Sequence, residues 1–124
     1  MKFKLVEKHR YWWPVVVRIP NPDVPGKMSE QKLEILFEPQ DRDAAVAATE
    51  AYEKLVGARA RADHEHQQLL EVSKDWRDVE DDDRQAVPFS EENFRAALQK
   101  GWFRSAVYSA YSDSISGNEA RVGN

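Results

Sequence analysis

Three consecutive aspartates, Asp81 to Asp83, open the run DDDRQAVPFSEENF, and carboxylates at that density are ligands for a hard cation. Counted as a calcium loop from Asp81, the run puts Asp83 at the third position, Gln85 at the fifth and Glu92 at the twelfth. The register then fails. Ala86 stands where the sharp turn needs glycine, Pro88 follows it, and Glu92 falls inside a helix that Ser90 starts. The residues favour a solvated acidic turn feeding a capped helix. A second donor set, Asp63-His64-Glu65-His66, offers two imidazoles and two carboxylates. Histidines two apart point to different sides of a helix, and His9 is remote in sequence, so this stretch is expected to be exposed helix surface rather than a metal site. Nucleophilic chemistry finds no support either. No serine has a Gly-x-Ser-x-Gly context, five glycines form no phosphate loop, and the chain has no cysteine. Carboxylate pairs abound, but 22 acids in 124 residues produce them by chance. The expectation is a non-enzymatic chain with no catalytic residue, no metal and no cofactor.

The bulk properties narrow the partners. A length of 124 residues with 41% hydrophobic and 32% charged side chains predicts one globular domain with its own core. The net charge of −4 is uneven, with seven basic and five acidic residues in 1–40 but five and nine in 71–100. The bases are scattered among acids and form no concentrated face, which argues against nucleic acid. The opening MKFKLVEKHR carries charges where a signal peptide needs an apolar stretch, and no run reaches membrane-span length. A cytoplasmic protein without a membrane partner is expected.

Two periodicities divide the chain near residue 40. Before it, Tyr11, Trp13, Val15, Val17 and Ile19 share one parity, as do Leu33, Ile35 and Phe37, and Phe3 and Leu5 alternate with lysines. These runs predict a three-stranded antiparallel sheet within residues 1–40, with Pro14 at an edge or a strand start. The stretch PNPDVPGK between the second and third runs predicts an irregular excursion rather than a two-residue turn. After Asp41, Ala45, Ala48, Tyr52, Leu55 and Val56 recur at helical steps, and Leu69, Leu70 and Val72 carry an apolar stripe on to Trp76. Ser90 is a good N-cap, with Phe89 before it and Phe94 beyond it spaced as a hydrophobic staple. Gly101 separates that helix from a last one, on which Phe103, Val107, Ala110 and Tyr111 share a face. The expected architecture is α+β in a single domain 1–124: strands in 1–40 packed by helices in 41–117, then a tail 118–124.

Two segments, VVVRIPNPDVPGKMSEQKLEILFEPQDRD and WRDVEDDDRQAVPFSEENF, together with the final alanine-containing helix, span most of the chain. Their order and spacing resemble those of the tail assembly chaperones of long, non-contractile-tailed bacteriophages and prophages. One departure concerns the acidic turn, where similar proteins often carry a glycine and this chain has Asp83 and Arg84. The resemblance implies a chain that works in the host cytoplasm. It would bind the tape measure protein, keep it soluble until major tail protein subunits replace the chaperone, and be absent from the virion. It also implies self-association of many copies along one long partner. Trp12, whose neighbour Trp13 must face the other way on a strand, and Phe103 on the last helix are the candidate partner contacts. The competing readings are a terminator or connector protein retained in the virion, and a metal-dependent enzyme built on the acidic run or the histidines.

Overall fold

The computed structural model describes residues 1–123, so Asn124 at the end of the expected tail lies outside the described residues. Two long strands, β1 (Tyr11–Pro20) and β2 (Met28–Phe37), pair antiparallel with Val15 opposite Leu33 and Trp13 opposite Ile35. Their odd-numbered side chains form one apolar face, on which Val15, Val17, Leu33, Ile35 and Phe37 are buried. The connection is the irregular excursion expected: Asn21 Oδ1 accepts from the N–H groups of Asp23 (2.8 Å) and Val24 (3.2 Å), and Gly26 takes a φ of +82°. The direction of the ladder's bonds follows from its ends. Asn21 N–H donates to Lys27 O, and Glu38 N–H donates to Val72 O. Odd residues of β1 therefore aim their backbone groups at β2, and even residues aim theirs at the open side. Pro14 and Pro20 fall on the open side, where neither has an N–H to present.

The antiparallel three-stranded sheet of an α+β fold is present, in the order β1-β2-β3, but one strand comes from elsewhere in the chain. Phe3 and Leu5 belong to no strand and are exposed. The third strand is β3 (Ser73–Arg77), which pairs with β2 through Ile35 opposite Trp76 and shifts register between Leu36 and Phe37. Alternation in residues 2–5 is only a local pattern. A strand also needs a neighbour, and the open edge of β2 is taken by β3 instead.

The helices of the described residues are α1 (Arg42–Lys54), α2 (Ala58–Val72), α3 (Glu91–Leu98) and α4 (Gly101–Ile115). The stripe of Leu69, Leu70 and Val72 does not carry on to Trp76 as helix, because α2 ends at Val72 and Trp76 stands in β3 beside Ile35. α2 runs directly into β3, while α4 crosses β1. Phe37, Phe94, Ile35, Leu98, Val15 and Val107 are fully buried between sheet and helices, each worth about 1.5–3 kcal/mol relative to exposure. The Trp76 indole is the hub. Its Nε1–H donates to Val87 O at 2.8 Å, and its rings lie 5.6–6.3 Å from those of Phe89, Phe94 and Phe103. Helix α3 starts as its sequence dictates, with Ser90 Oγ accepting from Asn93 N–H at 3.0 Å and the Phe89 and Phe94 rings 5.5 Å apart. Asn93, which stands in the place of a capping-box glutamate, donates instead to Pro88 O. Ser90→Ala should therefore lower stability by about 1 kcal/mol in urea melts. An unchanged midpoint would mean that the cap bond contributes nothing.

The acidic run proves to be a small hairpin. Asp81 and Gln85 pair through backbone groups, Glu80 bridges Ala86, and the Asp81 carboxylate accepts from Asp83 N–H (2.9 Å) and Gln85 N–H (3.0 Å). Arg84 sits at φ +61°, the left-handed conformation in which glycine is at home. The turn thus keeps a backbone geometry that a glycine would favour, and the Asp81 side chain ties it together.

Candidate functional site

Among the described residues, α1 is the one helix with no buried side chain. It rests on α2 through Tyr52, whose ring lies 5.7 Å from that of His64 and whose hydroxyl is 3.4 Å from Glu65 Oε1, with the Arg61 guanidinium 5.4 Å from the ring. The Leu55–Gly57 link, with Gly57 at φ +95°, turns the chain from α1 into α2. Held at arm's length in this way, α1 leaves a groove of about 680 Å³ between itself, α2 and α4. Ala45, Ala48 and Tyr52 line one wall, Leu69 and Val72 the floor, and Tyr108 and Tyr111 the other wall.

The polar groups of the groove are mostly engaged in holding it together. Gln40 N–H donates to the Tyr111 hydroxyl at 3.4 Å, and the Gln40 side-chain amide reaches Glu71 Oε2 at 2.9 Å. Arg104 donates to Leu98 O at the end of α3. Burial raises the Tyr111 hydroxyl above its ordinary pKa of 10.0, which the Gln40 bond partly offsets. That keeps the hydroxyl neutral. The groove's chemistry is that of aromatic and small apolar side chains with a sparse polar rim, suited to taking up an apolar surface. Among the described residues, no cluster of three or more His, Cys, Asp or Glu side chains could hold a metal ion, and no helix is long and apolar enough to cross a membrane.

The two histidines depart from the expected exposed stretch. His64 faces the groove beside Tyr52, whereas His66 is buried with Leu69 and Val72 on the core side of α2. They do point to different sides, as their spacing requires, but the second side is the core.

The two aromatic contacts expected from the sequence are not brought together. Trp12 lies on the helix-free face of the sheet, with the Arg77 guanidinium 4.1 Å from its ring and Arg77 in turn paired with Glu34 at 2.8 Å. Phe103 is half-buried against Trp76 and Phe94. The exposed aromatics of α4 are Trp102 and Tyr108, at 45% and 64%. Sequence could have found them: a helix that turns Phe103 and Val107 inward must turn their neighbours away.

Comparison with protein-family models, curated proteins and solved structures gives no match.

Proposed function

We propose that the chain is a non-enzymatic tail assembly chaperone of a long, non-contractile-tailed bacteriophage or prophage, acting in the host cytoplasm. Its partner is the tape measure protein, whose amphipathic helices would rest in the groove between α1, α2 and α4. The groove is the observation that supports this reading. A helix made before its tube exists exposes apolar surface and aggregates, and a groove walled by tyrosines and alanines offers that surface a temporary cover. Because α1 buries nothing of its own, it can shift to admit an incoming helix without disturbing the core. A net charge of −4 adds solubility to each complex. Contacts of this limited size are individually weak, which lets major tail protein subunits displace the chaperone later.

The test is co-expression with the tape measure protein of the same phage, followed by purification of the virions. The expected outcome is soluble tape measure protein recovered in complex with the chain, and no chain in finished particles by mass spectrometry. Tape measure protein that stays equally insoluble, with no complex, would end the proposal. The chain found in virions would replace it with a terminator or connector role.

A further inference from the structure

Where β1 runs out, a second groove of about 770 Å³ opens between the strands, the hairpin after β3 and the start of α4. Its floor is apolar, with contributions from Val17, Ile19, Val79 and Phe103. The hairpin gives it an acidic rim of Asp78, Glu80, Asp81 and Asp82, against Lys32 and Lys100 elsewhere on the lining. Asp81 is occupied by the turn's own N–H groups, but Asp78, Glu80 and Asp82 are in no ion pair among the described residues.

The segment 1–10 has the complementary character. Phe3 and Leu5 are 89% and 91% exposed, and they alternate with Lys2 and Lys4 in a strand-like pattern that has no strand partner. Lys8 and Arg10 add further positive charge against Glu7 alone. Two large apolar side chains left in water form a surface that burial would stabilise, and flanking lysines match a carboxylate rim.

We infer that residues 2–6 of one copy dock, extended, in the acidic-rimmed groove of a second copy, with Phe3 and Leu5 on the apolar floor and Lys2 and Lys4 against Glu80 and Asp82. The segment does not reach its own groove in this way. It leaves the body at Arg10, which is fixed to Glu38 at 2.6 Å; Val17 of the floor lies seven strand residues further on, about 23 Å away, whereas Leu5, five residues before Arg10, reaches back about 17 Å at full extension. A contact between two different surfaces joins copies head to tail, so association builds open chains or rings rather than a closed twofold dimer. This inference does not depend on the partner proposed above.

Sedimentation equilibrium of the full chain tests it. Association should rise with concentration and weaken by about tenfold between about 0.05 M and about 0.5 M salt. Lys2→Glu with Lys4→Glu in one chain, and Glu80→Lys with Asp82→Lys in another, should each weaken it by about tenfold or more. Mixing the two variants should restore it, because the reversed segment of one then meets the reversed rim of the other. Phe3→Ser should weaken association without changing its salt dependence. All these positions are exposed, and circular dichroism melts confirm that each variant is folded. A wild-type chain that is monomeric throughout, association indifferent to these substitutions, or a mixture that restores nothing would each overturn the inference.

Discussion

Trp76→Ala is expected to lower the unfolding free energy by about 4 kcal/mol, as truncation of a buried aromatic commonly does. A domain of this size has a total stability of about 5–15 kcal/mol, so the variant should lie close to the edge of folding. The magnitude follows from what the indole joins. It packs on Phe89, Phe94 and Phe103, and its Nε1–H closes on Val87 O, tying β3 to the segment that leads into α3. Removing it leaves a cavity and an unmatched carbonyl together. Trp76→Phe separates the two effects, since it keeps a ring but loses the hydrogen bond, and should cost about 1–3 kcal/mol. Urea unfolding followed by circular dichroism measures both. A loss below about 1 kcal/mol for Trp76→Ala would show that the aromatic cluster repacks around the gap and is not a hub.

The second large effect concerns binding rather than stability. Ala48→Glu combined with Tyr108→Glu should weaken the proposed complex with a tape measure fragment by about a hundredfold, equivalent to about 2.7 kcal/mol. The two positions lie on opposite walls of the groove, so an apolar helix entering it would have to desolvate two carboxylates. Neither is in the core: Tyr108 is 64% exposed and Ala48 is half-buried on a helix that buries nothing. The melt should accordingly move by no more than about 0.5 kcal/mol. Calorimetric titration of both chains with the same fragment reads the difference. Unchanged affinity would place the partner on another surface, with the outer face around Trp12 the next to substitute.

How much of this was written in the sequence varies from element to element. The parity of Tyr11 to Ile19 and of Leu33 to Phe37 is strong because each run is long and one face is buried throughout. β3 carries no clear strand signal, for a physical reason. It is five residues long, only Ser73 and Trp76 are buried in it, and it continues from α2 with no glycine or proline at the join. The change from helical to strand period therefore occurs inside a stretch too short to display either. The leading Phe3 and Leu5 show the converse, an alternation that finds no neighbour. Ser90 and Phe89 were legible because capping is decided within a few residues. The groove was not, since its walls come from residues 45–52, 64–72 and 101–111, and only tertiary packing sets the distance between them. The helical recurrence of Ala45, Ala48 and Tyr52 does not say what they face; in the fold they line the groove and none is buried.

The prolines on the open side of β1 have a consequence for aggregation. An edge strand of ten residues rich in valine and tryptophan, with no strand paired to its outer side, is the kind of template on which chains stack into cross-β fibrils. Fibril growth requires an unbroken row of donors, repeated from one chain to the next. Pro14 interrupts that row near the start of the strand and Pro20 at its end, leaving only Trp12, Val16 and Arg18 to donate outward. The chain is thereby a poor seed for its own aggregation.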